Sequence, residues 1–177
     1  MVGNAYPYTV DNWVNDIKLA SSAGMYVLNS IHSIQLSHPP NSDAFALNIG
    51  TDAWQQARVN DAYTAAQKCG SNFKMFISFD MTVLPCASSS DAGAIRKYIN
   101  QYASHPAQFM YNGKALFSSF SGETCQFGTG SVGSGWSSVF GGTNSLFVPS
   151  FFMDPSQFST LSSVMNGAFN VSHSQRQ

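Results

Sequence analysis

Two acidic residues of this sequence lie at or shortly after the ends of apolar runs. Asp80 comes after the run 76–79, and Glu123, the only glutamate of the chain, comes shortly after a run that ends at Phe120. A carboxylate at the end of a buried strand must be solvated, hydrogen-bonded or paired, because burying it alone is costly. Two carboxylates that face one cleft suit glycoside hydrolysis, in which one donates a proton to the leaving oxygen and the other activates water or attacks the sugar. The structural alternatives are that Asp80 caps a helix or organises a loop, and that Glu123 is an ordinary loop carboxylate.

Further polar and aromatic residues are predicted near the same edge of a sheet. Active groups of parallel α/β folds lie at the carboxyl ends of the strands. Aromatic side chains near those ends offer apolar platforms for sugar rings, although packing in the core or in a loop is the alternative for each of them. The candidate substrate-binding residues are Asn4, Tyr6, Asn48, Trp136 and Asp154.

Other catalytic chemistries find less support in the sequence. Its four histidines show no metal-ligand spacing. The segment 121–123 reads SGE, which is not a G-x-S-x-G nucleophile elbow. A G-x-G-x-x-G match at 128–133 falls in a predicted long loop rather than between a strand and a helix, so we interpret it as a flexible loop. We therefore expect no metal and no cofactor.

The cysteines allow at most one disulfide and leave one thiol, since there are three: Cys69, Cys86 and Cys125. Cys86 follows the strand end at Asp80, and Cys125 follows the strand end near Glu123. If those strands are neighbours, a Cys86–Cys125 disulfide would clamp the two loops, and we predict this bond. Cys69 is predicted to be a small apolar filler near the end of a helix.

Apolar strands and amphipathic helices alternate along the chain about five times. The predicted strands cover 1–3, 44–49, 73–79, 115–120 and 146–153, and another begins at 167–170. The predicted helices begin after Thr9, at 51–52, at 90–91, near 136 and at 156. Asn112-Gly113 is typical of a tight turn. Such alternation favours a parallel α/β sheet, but periodicity alone leaves an open sheet and a closed barrel as alternatives.

Composition excludes several classes of protein. With 44% hydrophobic and 10% charged residues, the chain lacks the low hydrophobicity and high charge of disordered proteins. Its 8 Lys and Arg residues cannot form much of a basic patch, so we expect no nucleic-acid partner. We expect no membrane partner either, because no apolar run reaches the roughly 18 residues of a membrane span. The 177 residues suit one domain but are few for a (β/α)8 barrel, which needs at least about 200.

Four segments together resemble glycoside hydrolase family 71, the fungal α-1,3-glucanases or mutanases. They read MVGNAY at 1–6, AFALNIG at 44–50, FISFDM at 76–81 and FSGE at 120–123. The resemblance covers most of 1–24 and 43–170. It implies a (β/α)8 TIM barrel, secretion, and hydrolysis of α-1,3-glucosidic bonds in α-1,3-glucan with inversion. It also implies that Asp80 is an active-site carboxylate and that Glu123 lies at the rim of the same cleft.

One departure from that family bears on activity. The family's main acid/base pair, an Asp and a Glu three residues apart, has no match here, because Glu123 is the only Glu and position 120 is Phe. We therefore predict a partial barrel of about the first five to six βα units that is catalytically incomplete as it stands. Its open sheet edges would favour non-specific self-association.

A second departure is the segment 25–42, MYVLNSIHSIQLSHPPNS, which interrupts the family pattern. It is either an inserted surface loop or, as we hypothesise, a translated intron, because its ends can be encoded by splice-site patterns and its removal restores the family pattern. A donor pattern can likewise encode 171–172, where the similarity stops. We thus divide the chain into the N-terminal part of a family 71 barrel at 1–170, interrupted at 25–42, and a non-family tail at 171–177.

Three functions remain as alternatives. The first is an incomplete glucan endo-1,3-alpha-glucosidase with α-1,3-glucan as its partner. The second is a non-catalytic glucan-binding fragment, and the third is an unrelated small α/β enzyme. The resemblance implies an extracellular location, whereas we predict no signal peptide at the start of this sequence, so the location of this product is left open.

Overall fold

The computed structural model describes residues 5–23, 44–70 and 72–169, which fold into helices packed on a mainly parallel sheet. The elements, in chain order, are α1 (Val10–Ser22), β1 (Ala44–Ile49), α2 (Gln55–Lys68), β2 (Lys74–Asp80), α3 (Ser89–Tyr102), β3 (Met110–Tyr111), β4 (Lys114–Phe120), α4 (Val132–Phe140), β5 (Ser145–Phe147) and a 3₁₀ helix (Pro155–Leu161).

Four of these strands, β1, β2, β4 and β5, are parallel and lie side by side in the order in which the chain makes them. Asn48 of β1 lies beside Ser78 of β2, and Asp80 of β2 lies beside Phe120 of β4. The order does not reverse as it does in a doubly wound sheet. β3 pairs antiparallel with the start of β4.

Helices cover one face of this sheet. Residues of α1 to α4 join one core cluster with the strand residues Leu47, Ile77 and Phe117. A smaller cluster on the opposite face consists of strand and loop residues: Ala44, Phe76, Phe109, Leu116 and Val148. A sequential parallel order with helices on one face is compatible with part of a (β/α)8 barrel.

Short-range physics explains where several elements begin and turn. Thr9 and Asn12 form a capping box at the start of α1, and the predicted stripe of Trp13, Ile17 and Ala20 is buried. The Asn112-Gly113 turn between β3 and β4 has φ values of +48° and +74°, which is the left-handed conformation that such tight hairpin turns need.

Three predicted elements differ from the structure. β5 is shorter than the predicted strand at 146–153, and its pairing with β4 is interrupted around Pro149, which has no N–H to donate. The predicted helix from 156 is a 3₁₀ helix, Pro155–Leu161. Residues 167–169 form no strand, although the Phe169 N–H donates to the Pro149 carbonyl at 2.9 Å.

Several sequence predictions lie outside the described residues. They concern the strand at 1–3, the insertion at 25–42 and the tail at 171–177. Within the described residues, no helix combines the length and the apolarity that crossing a membrane requires.

Candidate active site

Asp80, the last residue of β2, is half-buried and fixed at both carboxylate oxygens. Its Oδ2 accepts a hydrogen bond from Nδ2 of Asn48 at 3.1 Å. Its Oδ1 accepts one from the backbone N–H of Thr82 at 3.1 Å and another from the Thr82 hydroxyl at 2.5 Å. The Thr82 contacts form an Asx turn, so Asp80 organises the loop after β2 while presenting its carboxylate at the carboxyl end of the sheet.

Asn48 reaches Asp80 because of the β1–β2 register. Its Cα partner is Ser78, two residues before Asp80 on the same strand, so the three side chains share one face of the sheet. The Asn48 Oδ1 is buried and has no hydrogen-bond partner within the part of the chain that the structure describes. Sequence reasoning placed Asn48 and Asp80 at the carboxyl ends of two strands, and the structure brings their side chains together.

Glu123 lies in the loop after β4 and is half-buried. The Ser121 hydroxyl is 3.2 Å from each of its carboxylate oxygens, and the backbone N–H of Phe152 donates to Oε2 at 3.4 Å. Ser121 itself adopts a left-handed conformation with φ +62°. This turn places Glu123 between the carboxyl end of β4 and the segment after β5.

Gly122 fixes this turn in place. Its φ of +108° strongly favours glycine. A Cβ at this position would lie 2.8 Å from Cζ2 of Trp136 and 3.0 Å from Cγ of Met81. The Gly122 carbonyl also accepts a hydrogen bond from Nε1 of Trp136 at 3.0 Å. The loop that carries Glu123 is therefore packed tightly against the core.

A disulfide connects the loops that follow the two acidic strand ends. Cys86 and Cys125 are bonded, with their Cα atoms 5.3 Å apart. The backbone N–H of Phe127 also donates to the Cys86 carbonyl at 2.8 Å. The structure thus contains the pair that the neighbouring-strand argument predicted, and it leaves Cys69 as a free cysteine of intermediate burial.

Trp136 is not placed to act as the predicted sugar platform. Its side chain is 0% exposed, so no ring face is open to a ligand. Its ring centroid lies 4.4 Å from that of Phe147 and 5.2 Å from that of Phe127. The substrate-binding prediction for Trp136 is wrong in this structure, because the ring fills the core beneath the Glu123 loop.

The other predicted substrate-binding residues have different surroundings. Tyr6 is 63% exposed and makes an edge-to-face contact with Trp54, which follows the end of β1. Asp154 is exposed and caps the 3₁₀ helix, where hydrogen bonds from the Ser156 side chain and backbone hold the pKa of its carboxyl group below the usual value. Asp154 therefore has a structural role at that position, and Asn4 lies outside the described residues.

Two exposed phenylalanines at this edge were missed by sequence reasoning. Phe120 is 39% exposed and Phe152 is 40% exposed, and their ring centroids are 5.1 Å apart in an edge-to-face contact. Phe120 lies on the same face of the sheet as Asp80, because the two residues are partners in the β2–β4 register. The alternation of side chains along a strand could have suggested this, but it does not say which face of the sheet the helices cover.

Two other features of the described residues bear on the choice of site. They contain no group of three or more His, Cys, Asp or Glu residues that could hold a metal ion. A cavity of about 300 Å³ lies at the opposite end of β2, lined by Lys74, His105 and Met110 among others. It contains neither Asp80 nor Glu123. The position of Asp80 at the end of β2 places the candidate site at the carboxyl ends of the strands instead.

A sequence profile for glycosyl hydrolase family 71 matches residues 1–173. The chain belongs to glycosyl hydrolase family 71. The family predicted from the four sequence segments is thus confirmed, and Asp80 and Glu123 are carboxylates of a family 71 chain.

Curated relatives of this family 71 chain carry α-1,3-glucanase names. The chain is 43% identical over 139 residues to glucan endo-1,3-alpha-glucosidase agn1 of Schizosaccharomyces pombe, covering 78% of this chain and 28% of that protein. It is 27% identical over 162 residues to the ascus wall endo-1,3-alpha-glucanase of the same organism, covering 88% and 33%. It is 34% identical over 125 residues to a mutanase of Penicillium rubens, covering 70% and 23%. The chain therefore spans about a quarter to a third of the length of these relatives.

Proposed function

We propose that this chain forms part of the substrate cleft of an enzyme that hydrolyses α-1,3-glucosidic bonds in α-1,3-glucan with inversion. Family membership and the names of the three relatives support the substrate. The single observation that carries the assignment of the site is the Asp80 carboxylate, which Asn48 and Thr82 orient at the end of β2. The sheet order supports a TIM barrel as the architecture to which the described βα units belong.

We propose Asp80 and Glu123 as active-site carboxylates that act beside the family's main acid/base pair, which has no match in this sequence. In an inverting glycosidase, one carboxylic acid protonates the leaving oxygen and a carboxylate on the opposite face activates water. The transition state resembles an oxocarbenium ion, so a fixed carboxylate beside it also stabilises its positive charge. We assign Asp80 to the cleft and Glu123 to its rim, because the Glu123 loop borders the segment after β5.

We further propose that the 177 residues by themselves bind glucan but release little or no sugar. The chain contains no Asp followed three residues later by Glu, which is the spacing of the family's main acid/base pair. We propose that Asn48, Tyr6 and the two carboxylates make the contacts with the bound glucan. We propose an extracellular location, which the Cys86–Cys125 disulfide supports because such bonds persist in oxidising compartments.

Retention on insoluble polysaccharide tests this function. We expect the purified 177-residue chain to be retained on α-1,3-glucan but not on a β-1,3-glucan of equal surface area. Asp80→Ala should weaken retention about tenfold, since it removes a charged acceptor of sugar hydroxyls. Asp11→Ala, on the exposed side of α1, is the matched control and should not change retention.

The same incubations report on catalysis. We expect reducing sugar to stay at the background of a heat-treated sample. Release of sugar that Asp80→Ala abolishes would contradict the proposed inactivity and would make Asp80 catalytic in this chain. Equal retention on both glucans would contradict the proposed substrate.

A further inference from the structure

Phe120 and Phe152 form an exposed aromatic corner at the carboxyl ends of the strands. Their rings meet edge to face, at an interplanar angle of 77°. Each side chain nevertheless remains about two-fifths exposed. Contiguous exposed apolar surface that is rimmed by polar groups is a feature of ligand-binding grooves.

Both phenylalanines are tied to the candidate carboxylates. Phe120 is the Cα partner of Asp80 across the β2–β4 pair. The backbone N–H of Phe152 donates to Glu123 Oε2 at 3.4 Å. Phe120 also bridges to Ser150, two residues before Phe152 in sequence. The aromatic corner and the two carboxylates therefore belong to one continuous surface.

The chemistry of this surface restricts what can bind to it. A wholly apolar ligand would cover the rings but remove the carboxylates from water without giving them donors. A phosphate or another anion would be repelled by the two carboxylates of this surface. A pyranose ring fits both requirements, because one of its faces consists of C–H groups and its edges carry hydroxyl donors.

We propose that Phe120 and Phe152 form an aromatic platform for one pyranose ring of the bound glucan, next to Asp80 and Glu123. The proposal rests on the proposed function for the identity of the sugar polymer. It replaces Trp136, whose ring is buried, with two rings that a ligand can reach. The platform positions the sugar, while the carboxylates contact its hydroxyl groups and its glycosidic bond.

Calorimetric titration with soluble gluco-oligosaccharides tests the platform in the full 177-residue chain. We expect Phe120→Ala and Phe152→Ala each to weaken the binding of an α-1,3-linked oligosaccharide about tenfold. Phe152→Tyr keeps the ring and should bind within about twofold of the unaltered chain. Met110→Ala is the matched control, because Met110 is 46% exposed and lies in β3, which pairs with the opposite end of β4.

Each outcome decides one of the two proposals. Unchanged binding in both alanine variants would overturn the platform and leave the α-1,3-glucanase function standing. The chain could instead prefer β-1,3-linked or α-1,4-linked oligosaccharides and bind them in a way that depends on the two phenylalanines. That result would support the platform and overturn α-1,3-glucan as the proposed substrate. Absence of binding to every oligosaccharide by the unaltered chain would overturn the platform. Thermal unfolding of each variant separates a folding defect, which Phe152→Tyr should not show, from lost binding.

Discussion

The amide nitrogen of Asn48 and a carboxylate oxygen of Asp80 lie 3.1 Å apart across the shared edge of β1 and β2. The amide can only donate through this nitrogen, and an ionised carboxylate only accepts. The amide on the neighbouring strand therefore sets the orientation of the Asp80 carboxyl group.

Asn48→Asp replaces that donor with a second carboxylate of the same shape. Two carboxylates at this separation repel each other, so we expect the free energy of unfolding to fall by about 1–3 kcal/mol at neutral pH. The loss should shrink in acid, because protonating one carboxyl group removes the repulsion. Urea unfolding at the two pH values measures both effects.

The control for this substitution is Asn100→Asp on the exposed side of α3. A new charge there should cost only about a few tenths of a kcal/mol. Losses of equal size at positions 48 and 100 would argue against a close contact between Asn48 and Asp80.

Gly122→Ala should destabilise the fold more than an ordinary substitution in a turn. The added Cβ meets Trp136 at 2.8 Å, and the backbone φ of +108° disfavours any L side chain. We expect a loss of about 2–4 kcal/mol. Gly113 also has a positive φ, +74°, but a Cβ there meets nothing within 4 Å, so Gly113→Ala should cost only about 1 kcal/mol. Denaturant unfolding that ranks the two variants in the opposite order would contradict the packing of the Glu123 loop.

Removing the Cys86–Cys125 disulfide should lower stability substantially. The bond closes a loop with a sequence separation of 39, for which chain entropy predicts about 3–4 kcal/mol. The double variant Cys86→Ala/Cys125→Ala should therefore unfold at lower denaturant than the oxidised chain, and reductant should not shift it further. Cys69→Ala leaves the disulfide intact, so reductant should lower the denaturant midpoint of this variant as much as that of the unaltered chain. Reduction adds one hydrogen atom to each sulfur, so intact mass should rise by about 2 Da, and an unchanged mass would refute the bond.

The start of α3 should make stability depend on pH. Hydrogen bonds from the Ser88 side chain and backbone hold the pKa of the Asp91 carboxyl group below its usual value. A lowered folded-state pKa stabilises the folded chain above the unfolded pKa, and this contribution disappears as the pH falls through the folded value. Ser88→Ala should therefore lower Tm at neutral pH and have a smaller effect in acid, where Asp91 is protonated in both chains.

Thermal unfolding across this pH range measures the effect at Ser88. Ser137→Ala, at an exposed position of α4, serves as the control and should give a difference in Tm that does not change with pH. If Ser88→Ala lowers Tm by the same amount at every pH, the contact between Ser88 and Asp91 does not contribute to the pH dependence of stability.

Features with short-range causes could be predicted from the sequence. The spacing of Trp13, Ile17 and Ala20 determines which side of α1 is buried, and Asn112-Gly113 determines a turn through its own backbone preferences. The position of Asp80 at a strand end also follows from the apolar run before it. These properties depend on residues within one element.

Properties set by contacts between distant parts of the chain could not be predicted. The burial of Trp136 depends on Phe147 and Phe127, which pack on it from other elements. The accessibility of Phe120 depends on the helices lying on the other face of the sheet. An aromatic residue near a strand end is therefore equally consistent with a platform and with a core position until the topology is known.

The covalent link between Cys86 and Cys125 has a consequence for the kinetics of ligand association. The loop after Asp80 and the loop that carries Glu123 lose their conformational freedom when the chain folds, so little ordering remains for the encounter with a sugar. Both acidic groups are then preorganised, and association should proceed without a slow rearrangement step. Reduction of the bond would return that freedom to the unliganded protein and turn a rigid recognition surface into one that must be assembled around its ligand.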